Sequence, residues 1–119
     1  MFKRKILSKL EAWKRDERHK PLILRGARQV GKTTVVNEFG SQFDNYLYFN
    51  LEMNESVRLF EMDIPLNDLV NMLFASLGKS QREGSTLIFI DEIQNSPKTI
   101  ALLRYFYEQR PDLYVIAAG

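Results

Sequence analysis

One octamer of this sequence, residues 26–33, has the residue types and spacing of a loop that binds phosphate. Two glycines stand five residues apart, and the second is followed directly by a lysine and a threonine. Glycines let the backbone curl so that successive N–H groups point at phosphate oxygens. Lys32 would reach the β- and γ-phosphates, and the Thr33 hydroxyl would ligate Mg²⁺. We therefore predict that a nucleoside triphosphate binds to Gly26, Ala27, Arg28, Gln29, Val30, Gly31, Lys32, Thr33 and Thr34.

The segments on either side of the octamer fit this interpretation. A short apolar run at residues 22–24 favours a buried strand before it. After it, apolar residues recur at helical spacing between Val35 and Phe39, from a start near Lys32, and Gly40 suits a C-terminal stop. Such a helix would direct the positive end of its dipole at the bound anion. The alternative is a glycine-rich turn that carries a surface lysine.

A pair of adjacent carboxylates supplies the second half of the predicted site. Residues 86–90 form a continuous β-branched and aromatic run, typical of a central parallel strand, and Asp91 and Glu92 follow it. Ligands bind at the carboxyl ends of strands in open α/β sheets. We expect Asp91 to hold Mg²⁺ through its water shell, together with Thr33. Glu92 would orient or deprotonate the attacking water, which makes it a catalytic candidate with Lys32. An exposed acidic turn after the strand is the alternative.

Composition narrows the class of protein. The chain has 119 residues, 45% of them hydrophobic, which fits one globular domain. It contains no cysteine, so disulfides and thiolate metal sites are excluded. No apolar run approaches the length of a membrane span, and the basic N-terminus lacks the apolar stretch of a secretion signal. We predict a cytoplasmic protein, in which His19 is solvated because its neighbours are polar.

Residues 1–20 are expected to form a basic amphipathic helix in front of a nucleotide-binding core at residues 21–119. The segment holds eight Lys or Arg against three acidic residues, a net charge of +5, whereas the rest of the chain carries −3. Its apolar stripe consists of Phe2, Ile6, Leu10 and Trp13. A basic helix of this kind can contact nucleic acid or an anionic membrane surface. We favour packing of the stripe on the domain; a nucleic-acid partner stays open but is not indicated.

Helices and strands are expected to alternate along the chain. Strands are predicted at residues 22–24, 46–49, 86–90 and 113–118. Further helices are predicted at residues 55–62, 66–77 and 97–109. Asn54 and Ser96 would cap the first and last of these three, Pro97 would occupy a first turn, and Gly78 would end the middle one. This alternation predicts a three-layer α/β fold around a parallel sheet.

Three segments, residues 24–34, 89–94 and 116–119, resemble prokaryotic AAA-type P-loop ATPases, in which a C-terminal domain of poorly known role normally follows the ATPase domain. The resemblance implies a P-loop NTPase fold of the additional-strand type, with sheet order 5-1-4-3-2. The fourth strand would then lie between the loop strand and the Asp-Glu strand. On this basis we expect the chain to be the N-terminal part of an ATPase domain. The fifth strand, a polar sensor residue, a helical lid and an arginine finger would follow Gly119.

The resemblance also bears on single residues. In AAA proteins a polar residue at the end of the second strand can hold the catalytic glutamate away from water, and Asn50 occupies that position. An ordinary strand-end asparagine is an equally good interpretation. Gln94 matches the family's Asp-Glu-Ile-Gln stretch without a known chemical role. Arg104 and Arg110 precede the fourth strand, so neither matches the usual finger position.

Several functions compete at this stage. The leading prediction is a motor or switch domain that binds Mg-ATP, hydrolyses it in the intact protein and can assemble into a homo-oligomer. Residues 1–119 by themselves are expected to hydrolyse ATP poorly, because the sensor and finger residues would follow Gly119. A GTPase commonly selects guanine with an Asn-Lys-x-Asp element, which this sequence lacks. A small-molecule kinase is disfavoured because a glutamate beside Asp91 suits hydrolysis. A regulatory sensor that binds ATP and switches a protein or nucleic-acid partner without turnover remains the alternative.

Overall fold

The computed structural model describes residues 2–25, 31–81 and 84–119. Residues 26–30, which belong to the predicted phosphate loop, lie outside the described residues. The elements in chain order are α1 (Phe2–Arg15), β1 (Leu22–Leu24), α2 (Lys32–Gly40), β2 (Asn45–Asn50), α3 (Asn54–Phe60), α4 (Leu66–Ser76), β3 (Thr86–Asp91), a 3₁₀ turn (Ile93–Asn95), α5 (Pro97–Gln109) and β4 (Leu113–Ala118). The predicted strands are all present, with β2 and β3 slightly longer than expected.

The four described strands form one parallel sheet in the order β1-β4-β3-β2. The fourth strand therefore lies between the strand that leads into the phosphate loop and the strand that ends in Asp91, as the resemblance implied. Every residue of β3 is buried, which fits its central place. β1 is less covered than predicted, since Ile23 on this outer strand is 39% exposed. The α/β fold with a parallel sheet is confirmed.

Helices cover both faces of the sheet, because alternate residues of the central strands point to opposite sides. On one face α1 and α2 pack on the sheet, and the buried strand residues there are Leu87, Phe89, Ile116 and Ala118. On the other face α3, α4 and α5 pack on the sheet, and their strand partners include Leu47, Phe49, Ile88, Ile90, Val115 and Ala117. The molecule therefore has three layers, with the sheet in the middle.

The N-terminal helix packs on the domain through its apolar stripe. Leu10 is buried, and Ile6 and Trp13 pack partly buried against the same cluster as α2. The helix ends at Arg15, before the end of the predicted basic segment, and a turn follows. The Trp13 indole N–H donates to the Lys20 carbonyl at 2.8 Å and so fastens this turn to the helix. None of the helices in the described part of the chain is long and apolar enough to cross a membrane.

The prediction that His19 is solvated is wrong. Its ring is buried and stacks on Tyr114 of β4, with ring centroids 3.8 Å apart. Nε2 lies 3.1 Å from the Leu113 carbonyl oxygen and Nδ1 lies 3.2 Å from that of Asp16, so a neutral ring can donate to only one of the two. The polar neighbours in sequence did not indicate this burial, because the ring on which His19 stacks comes from the far end of the chain.

Of two helix-end predictions, the stop of α2 at Gly40 is confirmed and the cap of α3 by Asn54 is wrong. Gly40 is the last residue of α2 and is absent from the glycines with positive φ in the described ranges, which are Gly31, Gly78 and Gly84. It is small for a packing reason, since a Cβ there would lie 2.6 Å from the Tyr46 ring. Asn54 does not cap α3, because it is that helix's first residue and follows Met53 at the N-cap.

Candidate functional site at the carboxyl edge of the sheet

The predicted metal ligands, Thr33 and Asp91, meet at the edge of the sheet where the strands end. Thr33 lies in the first turn of α2 and Asp91 is the last residue of β3. The Thr33 hydroxyl donates to Asp91 Oδ2 at 2.8 Å, although the two residues are 58 positions apart in the chain. In open α/β sheets this edge is where ligands bind. The fold therefore brings the loop motif and the Asp-Glu motif to one place.

The start of α2 has the backbone expected at the end of a phosphate loop. Gly31 has φ 93°, in the left-handed region that favours glycine, and no side chain caps the helix. The first N–H groups of a helix lack intrahelical partners and attract anions. Lys32 and Thr33 are half-buried there and Thr34 is exposed. Five predicted ligands, Gly26, Ala27, Arg28, Gln29 and Val30, lie outside the described residues, so their contacts with phosphate stay predictions.

The Asp91 carboxylate is buried and engaged at both oxygens. Oδ2 accepts from the Thr33 hydroxyl and from the Tyr48 phenol, the latter at 3.0 Å. Oδ1 accepts from the backbone N–H of Glu92 at 3.0 Å. Buried carboxylates need such partners, because desolvation without them is costly. The side chain is thereby fixed in the direction of α2.

Tyr48 is a residue of the candidate site that no motif in the sequence indicated. Burial, together with the hydrogen bond to Asp91, raises the pKa of Tyr48 to about 12, so the phenol keeps its proton and remains a donor at ordinary pH. A weak signal existed: alternation along β2 places Tyr46, Tyr48 and Asn50 on its less buried face. Nothing in that alternation indicates that one of these side chains reaches the end of the neighbouring strand.

Glu92 begins the turn after β3 with an unusual backbone. Its φ is 56°, and it is the one residue other than glycine with positive φ in the described ranges. Such conformations cost about 1–3 kcal/mol and cluster at functional sites. The half-buried side chain accepts at Oε1 from Gln94 Nε2, at 2.8 Å.

Asn50 behaves as an ordinary strand-end asparagine. It lies opposite Asp91 in the register of β2 and β3. Its Oδ1 accepts from the backbone N–H of Glu52 at 2.9 Å, which closes a local turn. The contact with the Glu92 carboxylate comes instead from Gln94. The holding role that the resemblance suggested for a strand-end residue is therefore not what this geometry supports.

The arrangement offers hard oxygen ligands, a lysine and uncapped helix N–H groups within a short stretch of the sheet edge. In the part of the chain that the structure describes, no group of three or more His, Cys, Asp or Glu side chains gathers that could hold a metal. Mg²⁺ usually binds proteins through one or two carboxylates together with substrate phosphates and water. The pair of Thr33 and Asp91 suits that mode of binding.

Comparison with known proteins agrees with the geometry. The profile of one protein family, described as the AAA domain, matches residues 18–119. No curated protein matches the chain closely enough to count as a relative. Because the profile covers well over half of the chain, the protein belongs to the AAA domain family, which indicates a nucleotide-binding domain of the ATPase type.

Proposed function

We propose that this protein binds Mg-ATP and hydrolyses it as an AAA-type motor or switch domain. The observation that carries the proposal is the hydrogen bond between the Thr33 hydroxyl and Asp91 Oδ2. It joins the end of the loop motif to the end of β3, where a shared metal ion would need both groups. Membership of the AAA domain family supports nucleotide binding. The proposed hydrolysis rests on the two carboxylates at the end of β3, those of Asp91 and Glu92.

The start of α2 would hold the phosphates. Lys32 would place its charge against the β- and γ-phosphate oxygens, and the uncapped N–H groups of α2 would face the same anion. Residues 26–30 would add backbone N–H groups. Thr33 would ligate Mg²⁺ directly and Asp91 through water, as in other P-loop enzymes. When bound, the ion would neutralise charge on the phosphate oxygens.

Glu92 is the proposed general base. It would take a proton from the attacking water as the water oxygen bonds to the γ-phosphorus and the bond to the bridging oxygen breaks, which releases ADP and phosphate. Its place directly after Asp91 puts the base beside the metal ligand. The left-handed backbone of Glu92 sets the direction in which the side chain leaves the strand.

ATP turnover by the intact wild-type protein and by its Glu92→Gln variant tests the proposal. The variant should lose about 10²–10⁴ in rate, because the base is gone, while its affinity for Mg-ATP stays the same. Glu55→Gln, an exposed change in α3, is the matched control and should keep the wild-type rate. Equal rates for Glu92→Gln and wild type would show that another residue is the base.

Binding without turnover in the wild type would favour a regulatory sensor over an enzyme.

The same turnover assay with added DNA or RNA tests for a nucleic-acid partner. A basic surface exists for one, since Lys3, Arg4, Lys5 and Lys9 are exposed on α1. We expect weak, salt-sensitive binding there, because phosphate contacts weaken steeply with ionic strength. Assembly into a homo-oligomer stays a prediction, which sedimentation with and without Mg-ATP would check.

A further inference from the structure

Gln94 contacts the proposed general base directly. It lies in the 3₁₀ turn two residues after Glu92, and its Nε2 donates to Glu92 Oε1 at 2.8 Å. The turn is held by its own backbone, since the N–H of Asn95 donates to the Glu92 carbonyl at 3.1 Å and that of Ser96 to the Ile93 carbonyl at 3.0 Å. These backbone hydrogen bonds therefore hold Glu92 and Gln94 at a fixed spacing, and the contact joins their side chains.

The other end of the Gln94 amide lies over the tip of β4. A Cβ added to Gly119 would collide with Gln94 Oε1, so the two residues are in close contact. The Gly119 N–H in turn donates to the Leu24 carbonyl at the end of β1, at 3.3 Å. Because β4 lies between β1 and β3, Gln94 contacts the end of the strand that separates the one before the predicted phosphate loop from the one before Glu92.

We propose that Gln94 is a positioning residue that orients the Glu92 carboxylate for catalysis, an inference that rests on the proposed hydrolysis. A general base acts well when a third group orients it in turn. A glutamate side chain has several rotatable bonds, and a displacement of about 1 Å in a catalytic group can cost about a hundredfold in rate. Gln94 fixes one carboxylate oxygen with a neutral N–H, which adds no charge that would compete with the phosphates.

The side chain of Gln94 suits this task in length and in chemistry. Its oxygen end rests against Gly119 while its nitrogen end reaches Glu92, so the amide spans the two. Asparagine would be one methylene shorter. Glutamate would be of equal length but would set a second carboxylate against the first. Both changes should therefore release Glu92 while leaving the fold in place, since Gln94 is exposed.

Steady-state ATP turnover by Gln94→Ala and Gln94→Asn tests the inference. We expect kcat to fall about ten- to a hundredfold in both variants, with KM and the affinity for Mg-ATP within about twofold of wild type. Gln42→Ala is the matched control, because Gln42 also donates its amide to a carboxylate, that of Glu11 at 3.0 Å, but lies beyond the C-terminal end of α2. It should keep the wild-type kcat.

A double mutant shows whether Gln94 acts through Glu92. In a Glu92→Gln background, Gln94→Ala should cause little further loss, because the group that it orients is already gone. An equal, additive loss in that background would overturn the inference. As a readout apart from activity, the side-chain amide resonances of Gln94 should shift in Glu92→Gln and stay in place in Gln42→Ala; unchanged Gln94 resonances in Glu92→Gln would contradict the contact.

The outcomes separate the two proposals. Wild-type protein without turnover would overturn the proposed hydrolysis and this inference with it. Turnover that is unchanged or faster in Gln94→Ala, or a change in KM alone, would overturn only the positioning role.

Discussion

The helices α2 and α5 both begin at the carboxyl edge of the sheet, and they begin differently. At the start of α5 the buried Ser96 accepts from the N–H of Thr99, contacts the Thr99 hydroxyl at 2.7 Å and donates to Glu61. At the start of α2 the N-cap residue, Gly31, offers no side chain, so the N-cap makes no side-chain hydrogen bond. The first turn of α5 thus has an N–H group paired with an N-cap side chain, whereas α2 has no such pair.

The missing cap alone would not make α2 a binding site, because α3 and α4 also begin without a side-chain cap. Two further features set α2 apart. Its first turn follows a left-handed glycine, and its Thr33 hydroxyl reaches the carboxylate at the end of β3. Substitutions at the start of α2 should therefore change nucleotide binding, and substitutions at the start of α5 should change stability.

The largest expected effect is on the lysine at the start of α2. Lys32→Ala should weaken Mg-ATP binding by about 1.5–3 kcal/mol, because a charge-assisted contact to phosphate is lost. Calorimetry measures this change. Lys98→Ala is the matched control, since Lys98 lies in the first turn of α5 and donates to the Glu61 carbonyl at 2.8 Å. If both variants bound nucleotide like the wild type, the contrast between the two helix starts would fail.

The cap of α5 should matter for stability and not for binding. Ser96→Ala removes the acceptor for the Thr99 N–H and the donor to Glu61, so we expect a loss of about 1–2 kcal/mol in the free energy of unfolding. Urea denaturation measures it. Ser41→Ala removes an exposed serine bond to the Glu38 carbonyl at the end of α2 and should cost about 0.5 kcal/mol or less. If folded Ser96→Ala bound nucleotide more weakly than the wild type, the proposed difference between the starts of α2 and α5 would be contradicted.

The smallest effect concerns the far end of α5. The hydrogen bond from Arg110 lowers the pKa of Asp112, which outweighs the effect of burial. A lowered pKa means that the pair stabilises the fold above the unfolded pKa of Asp112 and that this stabilisation is lost as pH falls through the folded value. The pair is largely exposed at Asp112, so Asp112→Asn should cost less than about 1 kcal/mol at neutral pH. The variant should match the wild type in acid; a difference that grew on acidification would contradict this sign.

The sequence predicted those parts of the site that depend on local pattern. Thr33 and Asp91 were recognisable because glycine spacing and an apolar run before two carboxylates are both local, and strand order then brings them together. Ser96 and Pro97 likewise predicted the start of α5 correctly. Local pattern failed where a partner lies far along the chain, as it does for His19, which stacks on Tyr114.

Contacts within the site were likewise not predictable where they depend on packing and not on local sequence pattern. Tyr48 was missed because its hydroxyl reaches across to the neighbouring strand, which side-chain alternation does not reveal. Gln94 was noticed only through a resemblance, and its contact with Glu92 depends on a left-handed residue and a 3₁₀ turn that no propensity predicts. The sequence thus specifies which groups can react, while the long-range packing decides which groups hold them.

The central claim is that Thr33 and Asp91 form one magnesium site at the start of α2. Calorimetric titration with ATP, in the presence of Mg²⁺ and then of EDTA, tests it most directly in the wild type and in Asp91→Asn. The wild type should bind ATP more tightly with Mg²⁺ than without it, and Asp91→Asn should lose most of that difference while its affinity in EDTA stays close to that of the wild type. Asp68→Asn, an exposed change on α4, should behave as wild type. An Asp91→Asn variant that keeps the full gain from Mg²⁺ would contradict the claim.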